Sequence, residues 1–446
     1  MTARFVPPYP PRGSGPVGVW RGFFGERARN AVYGWSDQAY LTPHIHRRIL
    51  RFNVHVLLRP DAVQRVLLDN ASNYVKPDVV KTLTGPTIGR GLLTSDGALW
   101  REQRKIVAAS FAPAAVDDLS PVFARIARER AQGWRGGVLD MAEEATATTM
   151  TVIADTLFSG DPRLKTAAAM AHIAAALQGA SDSRTAAILG LPLIGWTAKM
   201  RRGQRGQRFL RETLGALVRE REGGGEDFLG RIVAALRDRF PAAEATALAV
   251  DNAATFYLAG HETTANAIAW TLFLLSEQGP LQDQVAEEAQ AALSGAEGDL
   301  AERLPLLRRV VEESMRLYPP VPRFDREALG PDRLGEVEIA KGDIVSIWPW
   351  LLHRHKSLWD DADAFDADRF LPEAKAAHHR FQYLPFGGGP RVCVGARFAM
   401  AEALILLAYW LASWRFDPLP GRVVRPAGTV TLRPEGGLPL CVARRD

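Results

Sequence analysis

Residues 386–395 of this 446-residue chain read Phe-Gly-Gly-Gly-Pro-Arg-Val-Cys-Val-Gly, directly before a long apolar pattern from Ala396 to Trp414. Glycine lets the backbone adopt positive φ angles and approach a bulky group closely, and proline fixes a turn. Cys393 is therefore predicted at the start of a helix, where unpaired N–H groups and the helix dipole favour a thiolate. A buried cysteine in a turn is the ordinary interpretation of an isolated cysteine. A thiolate in a tight glycine loop is also suited to bind haem iron as an axial ligand.

Composition and charge exclude several classes of protein. The chain is 47% hydrophobic and 24% charged, as in an ordinary soluble globular protein, although 446 residues exceed the usual size of one domain. Two cysteines cannot build a disulfide framework, which favours a reducing, cytoplasmic compartment. The formal net charge of +5 is modest and does not predict nucleic-acid binding. Residues 1–20 are rich in proline and glycine and are predicted to form an extended arm, with no signal peptide or membrane anchor.

A second apolar pattern, from about residue 242 to 278, predicts the longest helix of the chain. Its apolar central part contains one formally charged residue, Glu262, and a lone acid is costly to bury unless it is paired or functional. Gly260 weakens the helix there by about 1 kcal/mol relative to alanine, and Thr263 can hydrogen-bond to a carbonyl one turn earlier. A core helix whose acid has a partner is the alternative. The zinc motif H-E-x-x-H is excluded because its fifth position is Ala265.

Two further pairs lie on predicted helices. Trp100 and Arg104 are four residues apart on one face, and an indole N–H with a guanidinium suits an anionic carboxylate. Alone, this pair indicates a solvated face with a core tryptophan. Glu313 and Arg316 are three residues apart and, taken alone, indicate a surface ion pair worth a few tenths of a kcal/mol.

Taken together, these motifs resemble the cytochrome P450 family. The matching patterns are F-G-x-G-x-R-x-C-x-G at 386–395, A-G-x-E-T at 259–263, W-x-x-x-R at 100–104, E-x-x-R at 313–316 and F-x-x-x-R-F at 365–370. Two positions depart from the family: Ala367 stands where proline is frequent, and His355 where aspartate is usual. The resemblance covers the chain from about Phe52 to its C-terminus. It implies a single, mainly α domain over residues 1–446 with a small β-rich lobe, and haem between the long helix and the helix that follows Cys393.

The resemblance also implies a role for each motif. Cys393 would ligate the iron of haem b. The haem propionates would be bound by Arg391, Trp100, Arg104 and Arg326, and Arg323 is an alternative to Arg326. Beside the haem ring would lie Phe386, Gly387 and Ala259. Thr263 and Glu262 would deliver protons to oxygen. Glu313, Arg316 and Arg369 would form a buried structural network. Candidates to line the substrate pocket are Val80, Leu83, Phe256, Ala259, Val321, Phe324 and Leu438.

The implied activity is oxygen-dependent hydroxylation, or a related oxidation, of a lipophilic small molecule. No flavin, iron–sulfur or dinucleotide-binding module is visible in the sequence. Electrons would therefore come from a separate ferredoxin or flavodoxin with its reductase, docked at a basic patch of Arg101, Lys105 and Arg397. The chain is expected to be a monomer without a membrane anchor. Three alternatives stay open: a peroxygenase, a non-redox isomerase or dehydratase on the same fold, and a haem-binding sensor or ligand carrier. The substrate is not revealed.

Several local expectations can be compared with the structure. A strand is predicted over Arg51–Leu58, and the residues from Tyr74 to Arg90 are predicted to form a loop, which by resemblance covers the substrate pocket. Two hairpins are predicted, one around Lys341-Gly342 and one over Leu432–Leu440. The apolar pattern after Cys393 is predicted to be too short for a membrane span, which needs about 20 residues.

Overall fold

The computed structural model describes residues 4–13, 26, 30–50, 52–183, 186–187, 190–191, 193, 195, 197–295 and 300–445. Parts of the predicted N-terminal arm, residues 1–3 and 14–20, thus lie outside the described residues. The chain is mostly helical with small sheets, as predicted. It divides into two compact units: unit 1 comprises residues 1–74, 123–148 and 263–446, and unit 2 comprises residues 75–122 and 149–262. The single-domain expectation stays a prediction.

The helices and strands follow one another in mixed order along the described chain. The helices are α1 (Pro60–Gln64), α2 (Asp78–Ile88), α3 (Gly97–Ala108), α4 (Pro113–Asp117), α5 (Ser120–Gln132), α6 (Met141–Leu157), α7 (Ala167–Asp182), α8 (Ala198–Glu220), α9 (Phe228–Arg237), α10 (Ala242–Ser276), α11 (Gly279–Ser294), α12 (Pro305–Leu317), α13 (Pro349–Leu352), α14 (Pro372–Ala377) and α15 (Ala396–Ser413). The strands are β1 (His44–Ile49), β2 (Phe52–Leu57), β3 (Tyr74–Val75), β4 (Gly137–Asp140), β5 (Phe324–Ala328), β6 (Asp332–Leu334), β7 (Val337–Ile339), β8 (Ile344–Ile347), β9 (Trp414–Pro418), β10 (Pro426–Gly428), β11 (Leu432–Pro434) and β12 (Pro439–Arg444).

The largest sheet has the strand order β1-β2-β8-β5-β3. Strand β2 is antiparallel to β1 and parallel to β8, and β8 is antiparallel to β5. Strand β12 lies between β4 and β9, antiparallel to both. Strands β6 and β7 pair with each other, as do β10 and β11.

Helix α15 lies in the core of unit 1, which explains why its sequence is apolar on every side. Its residues Leu404, Ile405, Leu406 and Leu407 are fully buried, and the Trp410 indole donates to the carbonyl of Ala127 at 3.2 Å. By length and hydropathy alone this helix would be able to cross a membrane, so the expectation that it is too short is wrong. Since 61% of it is buried inside the protein, it is better described as a core helix.

Three local expectations are wrong. Residues 78–88 form helix α2, with Pro77 and Gly89 at its two ends, where a loop was predicted. The two strands of the first predicted hairpin, β7 and β8, do not pair with each other: β7 pairs with β6, and β8 pairs with β2 and β5. The same holds for the second predicted hairpin, because β11 pairs with β10, and β12 pairs with β4 and β9. Strands β7, β8 and β11 were thus placed correctly but given the wrong partners, and β12 extends four residues beyond the predicted hairpin. The strand predicted over Arg51–Leu58 is observed as β2.

Candidate active site

The loop before α15 presents a cysteine thiol on the surface of unit 1. Cys393 is exposed, although cysteine is among the residue types most often buried. Its N–H donates to the carbonyl of Phe386 at 2.9 Å, which closes the loop. Gly387 and Gly389 have φ angles of 71° and 66°, a conformation in which side chains are strained. At Gly389 a Cβ would also overlap the carbonyl oxygen of Leu67, so only glycine fits there.

The surroundings of this thiol fit a flat apolar group that carries carboxylates. Val392 is 37% exposed, and none of residues 386–395 is buried, although the helix that follows is a core helix. The loop therefore offers an apolar surface, a sulfur ligand and the guanidinium of Arg391 together. These groups fit a haem whose iron is ligated by a thiolate.

Helix α10 has a short accessible segment in an otherwise buried run. Ala259 is exposed, and Gly260, Glu262 and Thr263 are partly exposed, whereas the residues before and after them are buried. The helix is continuous through this segment. In unit 2, Gly260 packs against Ile153, whose Cδ1 would lie 2.6 Å from an added Cβ. The acid and the alcohol predicted to handle protons therefore lie where the helix is open to a ligand.

His261 is directed away from this accessible segment. It is buried, and its Nδ1 lies 2.6 Å from the carbonyl oxygen of Tyr257. Burial lowers the pKa of His261, so its imidazole is neutral. The carbonyl of the same residue accepts a hydrogen bond from the Thr149 hydroxyl at 3.0 Å. His261 is thus a satisfied core residue of unit 2.

One buried acid of unit 1 was missed by the sequence analysis. Glu402 on α15 is fully buried, and neither of its carboxyl oxygens has a well-formed hydrogen bond among the described residues. Burial raises the pKa of Glu402 well above its usual value, while the nearby Thr264 hydroxyl opposes that shift. Burial thus favours the neutral form of an acid that lies near Thr264, the residue that follows Thr263. The argument applied to Glu262, a lone acid in an apolar helix, would have identified it.

Trp100 and Arg104 lie on α3 in unit 2, and both are partly buried. The helix is fixed by the fully buried Gln103 between them. The Gln103 side chain donates to the Arg90 carbonyl at 3.0 Å and accepts from Asn252 of α10 at 2.6 Å. Two consecutive turns of α3 thus present the predicted tryptophan and arginine on one face.

Glu313 and Arg316 on α12 form a buried pair that organises the chain before the cysteine loop. Both side chains are fully buried, and Arg316 donates two hydrogen bonds to Glu313, at 2.6 and 2.8 Å. Its other three bonds go to the carbonyls of His353, Ala362 and Ala364 at 2.6–2.8 Å. Every N–H donor of the guanidinium is therefore used.

This network continues to the cysteine loop. The amide of Leu384 donates to Nε2 of His353 at 2.8 Å, two residues before Phe386. Burial lowers the pKa of His353 to about 3, so its ring is neutral and can accept this bond. Arg369, the predicted third member, lies 3.6 Å from Glu313 and donates to the carbonyl of Asp361 at 3.2 Å.

The structure gives physical reasons for two points that the sequence left open: the histidine at position 355, and the choice between Arg323 and Arg326. The ring of His355 accepts from the Ser357 hydroxyl at 2.8 Å through Nδ1, which an aspartate would also do, and its Nε2 lies 3.2 Å from the carbonyl oxygen of Thr42. Arg323 pairs with Asp325 at 3.0 Å, so its charge is already compensated. Arg326 is 9% exposed and donates to the carbonyl of Asp325 at 2.9 Å.

The predicted pocket residues divide into two groups. Ala259 is exposed, and Val80, Leu83, Val321 and Phe324 are partly buried, so each retains surface for a ligand.

The other two, Phe256 and Leu438, are buried among other side chains, and their place in a pocket stays a prediction. Phe256 is buried against Phe228 and Phe111, with ring centroids 5.5 and 5.8 Å away. Leu438 is fully buried in the main core of unit 1, and its backbone is fixed on both sides. Its N–H donates to Asp140 at 2.9 Å, and its carbonyl accepts from Met141 at 2.8 Å.

Comparison with known proteins decides the family. A model of the family named cytochrome P450 matches residues 38–441. The chain belongs to the cytochrome P450 family. It is thus a P450 monooxygenase, and the family implies a haem-iron cofactor, O2 and a redox partner.

This P450 is similar to proteins from bacteria and plants. It is 33% identical over 391 residues to cyclooctatin synthase from Streptomyces melanosporofaciens, covering 85% of this chain and 84% of that protein. It is 30% identical over 419 residues to cytochrome P450 714C3 from Oryza sativa subsp. japonica, covering 86% and 78%. The crystal structure of the cytochrome P450DA heme domain superposes with a TM-score of 0.82 over 99% of each chain, at 23% identity. The last comparison supports the fold.

Proposed function

We propose that this P450 uses haem b and O2 to hydroxylate, or otherwise oxidise, a lipophilic small molecule in the cytoplasm. The observation that carries the proposal is the exposed thiol of Cys393, held in a glycine loop at the start of a core helix. A structural cysteine would be buried there. An exposed thiol is suited to an axial ligand, and the family membership supports the same chemistry.

The residues that would hold the cofactor are proposed unit by unit. In unit 1, Cys393 would ligate the iron, Phe386 and Gly387 would pack beside the ring, and Arg391 and Arg326 would bind propionates. The ion pair of Arg323 with Asp325 favours Arg326 for that contact, because binding a propionate at Arg323 would compete with an existing carboxylate. In unit 2, Trp100 and Arg104 stay candidates for a propionate. When bound, the haem supplies the iron centre at which O2 is activated.

Proton handling is proposed for three side chains. Glu262 and Thr263 are partly exposed on α10 and would bring protons to the oxygen side of the cofactor. Glu402 holds a proton in the interior of unit 1 because burial raises the pKa of its carboxyl. Glu402 lies near the hydroxyl of Thr264 and would fix the position of that residue. Because Thr263 is the preceding residue, its position would be fixed as well. Glu402 is a positioning residue, since it is fully buried and touches no ligand-accessible surface.

Electrons are proposed to come from a separate acidic ferredoxin or flavodoxin with its reductase. Arg101 and Lys105 are exposed on α3 in unit 2, and Arg397 is exposed at the start of α15 in unit 1. Exposed cations raise the association rate of an acidic partner at low ionic strength. The variant Arg101→Glu with Lys105→Glu is expected to slow partner-driven reduction, most clearly at low salt. Unchanged reduction rates would reject this patch.

The decisive experiment measures O2 uptake and product together. The purified holoenzyme is screened against lipophilic compounds for a spin-state shift, and compounds that bind are then incubated with NADPH, ferredoxin and its reductase. We expect one O2 consumed per product molecule, with an oxygen atom from 18O2 in the product. Equal turnover with hydrogen peroxide alone would instead indicate a peroxygenase. Product without O2 uptake would indicate an isomerase or dehydratase, and binding without turnover a sensor or carrier.

A further inference from the structure

Residues 4–13, here called the strap, contact one short segment of unit 1, residues 361–366. The N–H of Phe365 in this segment donates to the carbonyl of Phe5 at 2.8 Å. The guanidinium of Arg4 pairs with two carboxylates of the segment, at 3.1 and 3.3 Å. Phe5 also packs against the main hydrophobic core of unit 1. The strap is therefore joined to unit 1 by its backbone, its charges and an apolar side chain.

Arg12 forms the most enclosed ion pair between the strap and this segment. Its guanidinium donates two hydrogen bonds to the carboxylate of Asp363, at 2.5 and 2.8 Å, and its side chain is only 7% exposed. The same guanidinium lies over the rings of Tyr9 and Tyr40, 4.3 and 3.8 Å from their centroids. A cation taken out of water in this way needs a partner, and a bidentate carboxylate is a strong one. Loss of the Arg12 charge would therefore detach the strap from Asp363.

The same segment is also bound by the buried network of α12. Arg316 donates to the carbonyls of Ala362 and Ala364, at 2.6 and 2.8 Å. Glu313 accepts a hydrogen bond from the N–H of Asp366 at 2.8 Å. Because six consecutive residues carry both sets of contacts, a shift of the segment at the strap also moves the acceptors of Arg316.

Hydrogen bonds continue from this network to the cysteine loop. Arg316 donates to the carbonyl of His353 at 2.8 Å, and the His353 ring accepts from the N–H of Leu384 beside the loop. The end of α12 is also tied to the strap directly, because the hydroxyl of Tyr318 donates to the carbonyl of Pro8 at 2.7 Å. Two series of contacts within unit 1 thus lead from the strap to α12, and one series leads from α12 to the loop.

We propose that Arg12 is a positioning residue for the thiolate of Cys393. Through Asp363 it holds residues 361–366 against Arg316, and the Arg316 network in turn fixes the loop that presents the thiol. The inference rests on the proposed function, because it takes Cys393 as the iron ligand. A strap that only added stability would act on the unfolding of the whole protein, whereas a positioning role predicts that thiolate ligation fails first.

The test is haem transfer from the holoprotein to excess apomyoglobin, together with the carbon monoxide difference spectrum of the reduced protein. The variant Arg12→Gln loses a charge-assisted bidentate contact and should therefore release haem about 10- to 100-fold faster. Part of its reduced haem should lack the red-shifted band of thiolate ligation, while its far-UV circular dichroism is unchanged. Arg12→Lys keeps the charge but not the bidentate geometry, and should release haem at an intermediate rate.

Three further variants make the result specific. Arg4→Gln changes the same strap at a side chain that is 50% exposed, and it should release haem at the wild-type rate because exposed pairs contribute little. Leu214→Ala removes a fully buried side chain of α8 in unit 2, so it should lower the urea midpoint without changing the carbon monoxide band. In the double variant Arg12→Gln with Asp363→Asn, both changes affect one ion pair, so their combined effect should be smaller than the product of the single effects.

The proposal is overturned if Arg12→Gln keeps the wild-type rate of haem transfer and the wild-type band. It is also overturned if Leu214→Ala loses the band as readily at an equal urea midpoint, or if the effects of Arg12→Gln and Asp363→Asn multiply. Absence of the red-shifted band from the haem-loaded wild type would contradict the proposed function itself, so the two failures are distinguishable.

Discussion

Replacing Arg316 by lysine tests whether the buried network supports the cysteine loop. The guanidinium uses all five N–H donors on Glu313 and three backbone carbonyls, and it is fully buried. A lysine ammonium has three donors on a flexible four-carbon stem, so at least two of the five acceptors lose their partner. Weakening a buried ion pair in this way is expected to cost about 3–5 kcal/mol. A typical protein has about 5–15 kcal/mol of stability in total.

The assay is urea unfolding of the haem-loaded protein, followed by circular dichroism and by haem absorbance. With a urea m-value of about 3 kcal/mol/M or more for a large chain, the midpoint should fall by about 1 M. Haem should be lost at lower urea than secondary structure, because Arg316 binds the His353 carbonyl and His353 accepts from Leu384 beside the loop.

A surface arginine provides the matched control. Arg163 also makes bidentate contacts with two carboxylates, those of Asp161 and Glu220, but its side chain is 41% exposed. Surface pairs contribute little because water replaces them, so Arg163→Lys should leave the midpoint almost unchanged. Equal midpoints for Arg316→Lys and wild type, or equal losses in the two variants, would refute the reasoning.

Three further predictions address the loop and the proton-handling residues. Because burial raises the pKa of Glu402, the folded state keeps a proton that the unfolded state releases; stability from this group is complete below its ordinary pKa and falls as pH rises. The free energy of unfolding of Glu402→Gln, measured by urea titration, should therefore increase relative to that of wild type as pH rises, by at most about 1.4 kcal/mol per pH unit. A difference that does not depend on pH would contradict this. Gly389→Ala should lose haem more readily than Gly387→Ala, because both strain φ but only the first overlaps Leu67; equal retention would count against the loop geometry. Thr263→Ala should still bind haem and substrate but release more hydrogen peroxide per NADPH consumed, and unaltered coupling would remove Thr263 from the mechanism.

The sequence predicted the helices around the candidate site better than it predicted which strands pair in the sheets. Helices α10 and α15 begin at Ala242 and Ala396, as predicted, and each ends within two residues of its predicted end, because a sustained apolar pattern specifies a helix. Apolar and β-branched residues identified strand β8 but not the strands beside it, since pairing depends on the whole sheet.

Other differences have local causes. Residues 78–88 were expected to be a loop because they contain glycine and proline, yet Pro86 lies in the last turn of α2, near the end of the helix. Leu438 was assigned to a pocket from the resemblance to the family, and the bonds that bury it, to Asp140 and Met141, join segments about 300 residues apart that the sequence does not bring together. Glu402 was within reach of the sequence, because a lone acid in an apolar helix is informative wherever it occurs.

The most direct measurement of the central claim is the carbon monoxide difference spectrum of the reduced protein, recorded for wild type, Cys393→Ser and Cys441→Ser. These are the two cysteines of the chain, and Cys441 lies on strand β12. We predict the red-shifted band of thiolate ligation in wild type and Cys441→Ser, and its loss in Cys393→Ser with unchanged circular dichroism. Survival of that band in Cys393→Ser, or its absence from haem-loaded wild type, would contradict the assignment of the thiol as the iron ligand.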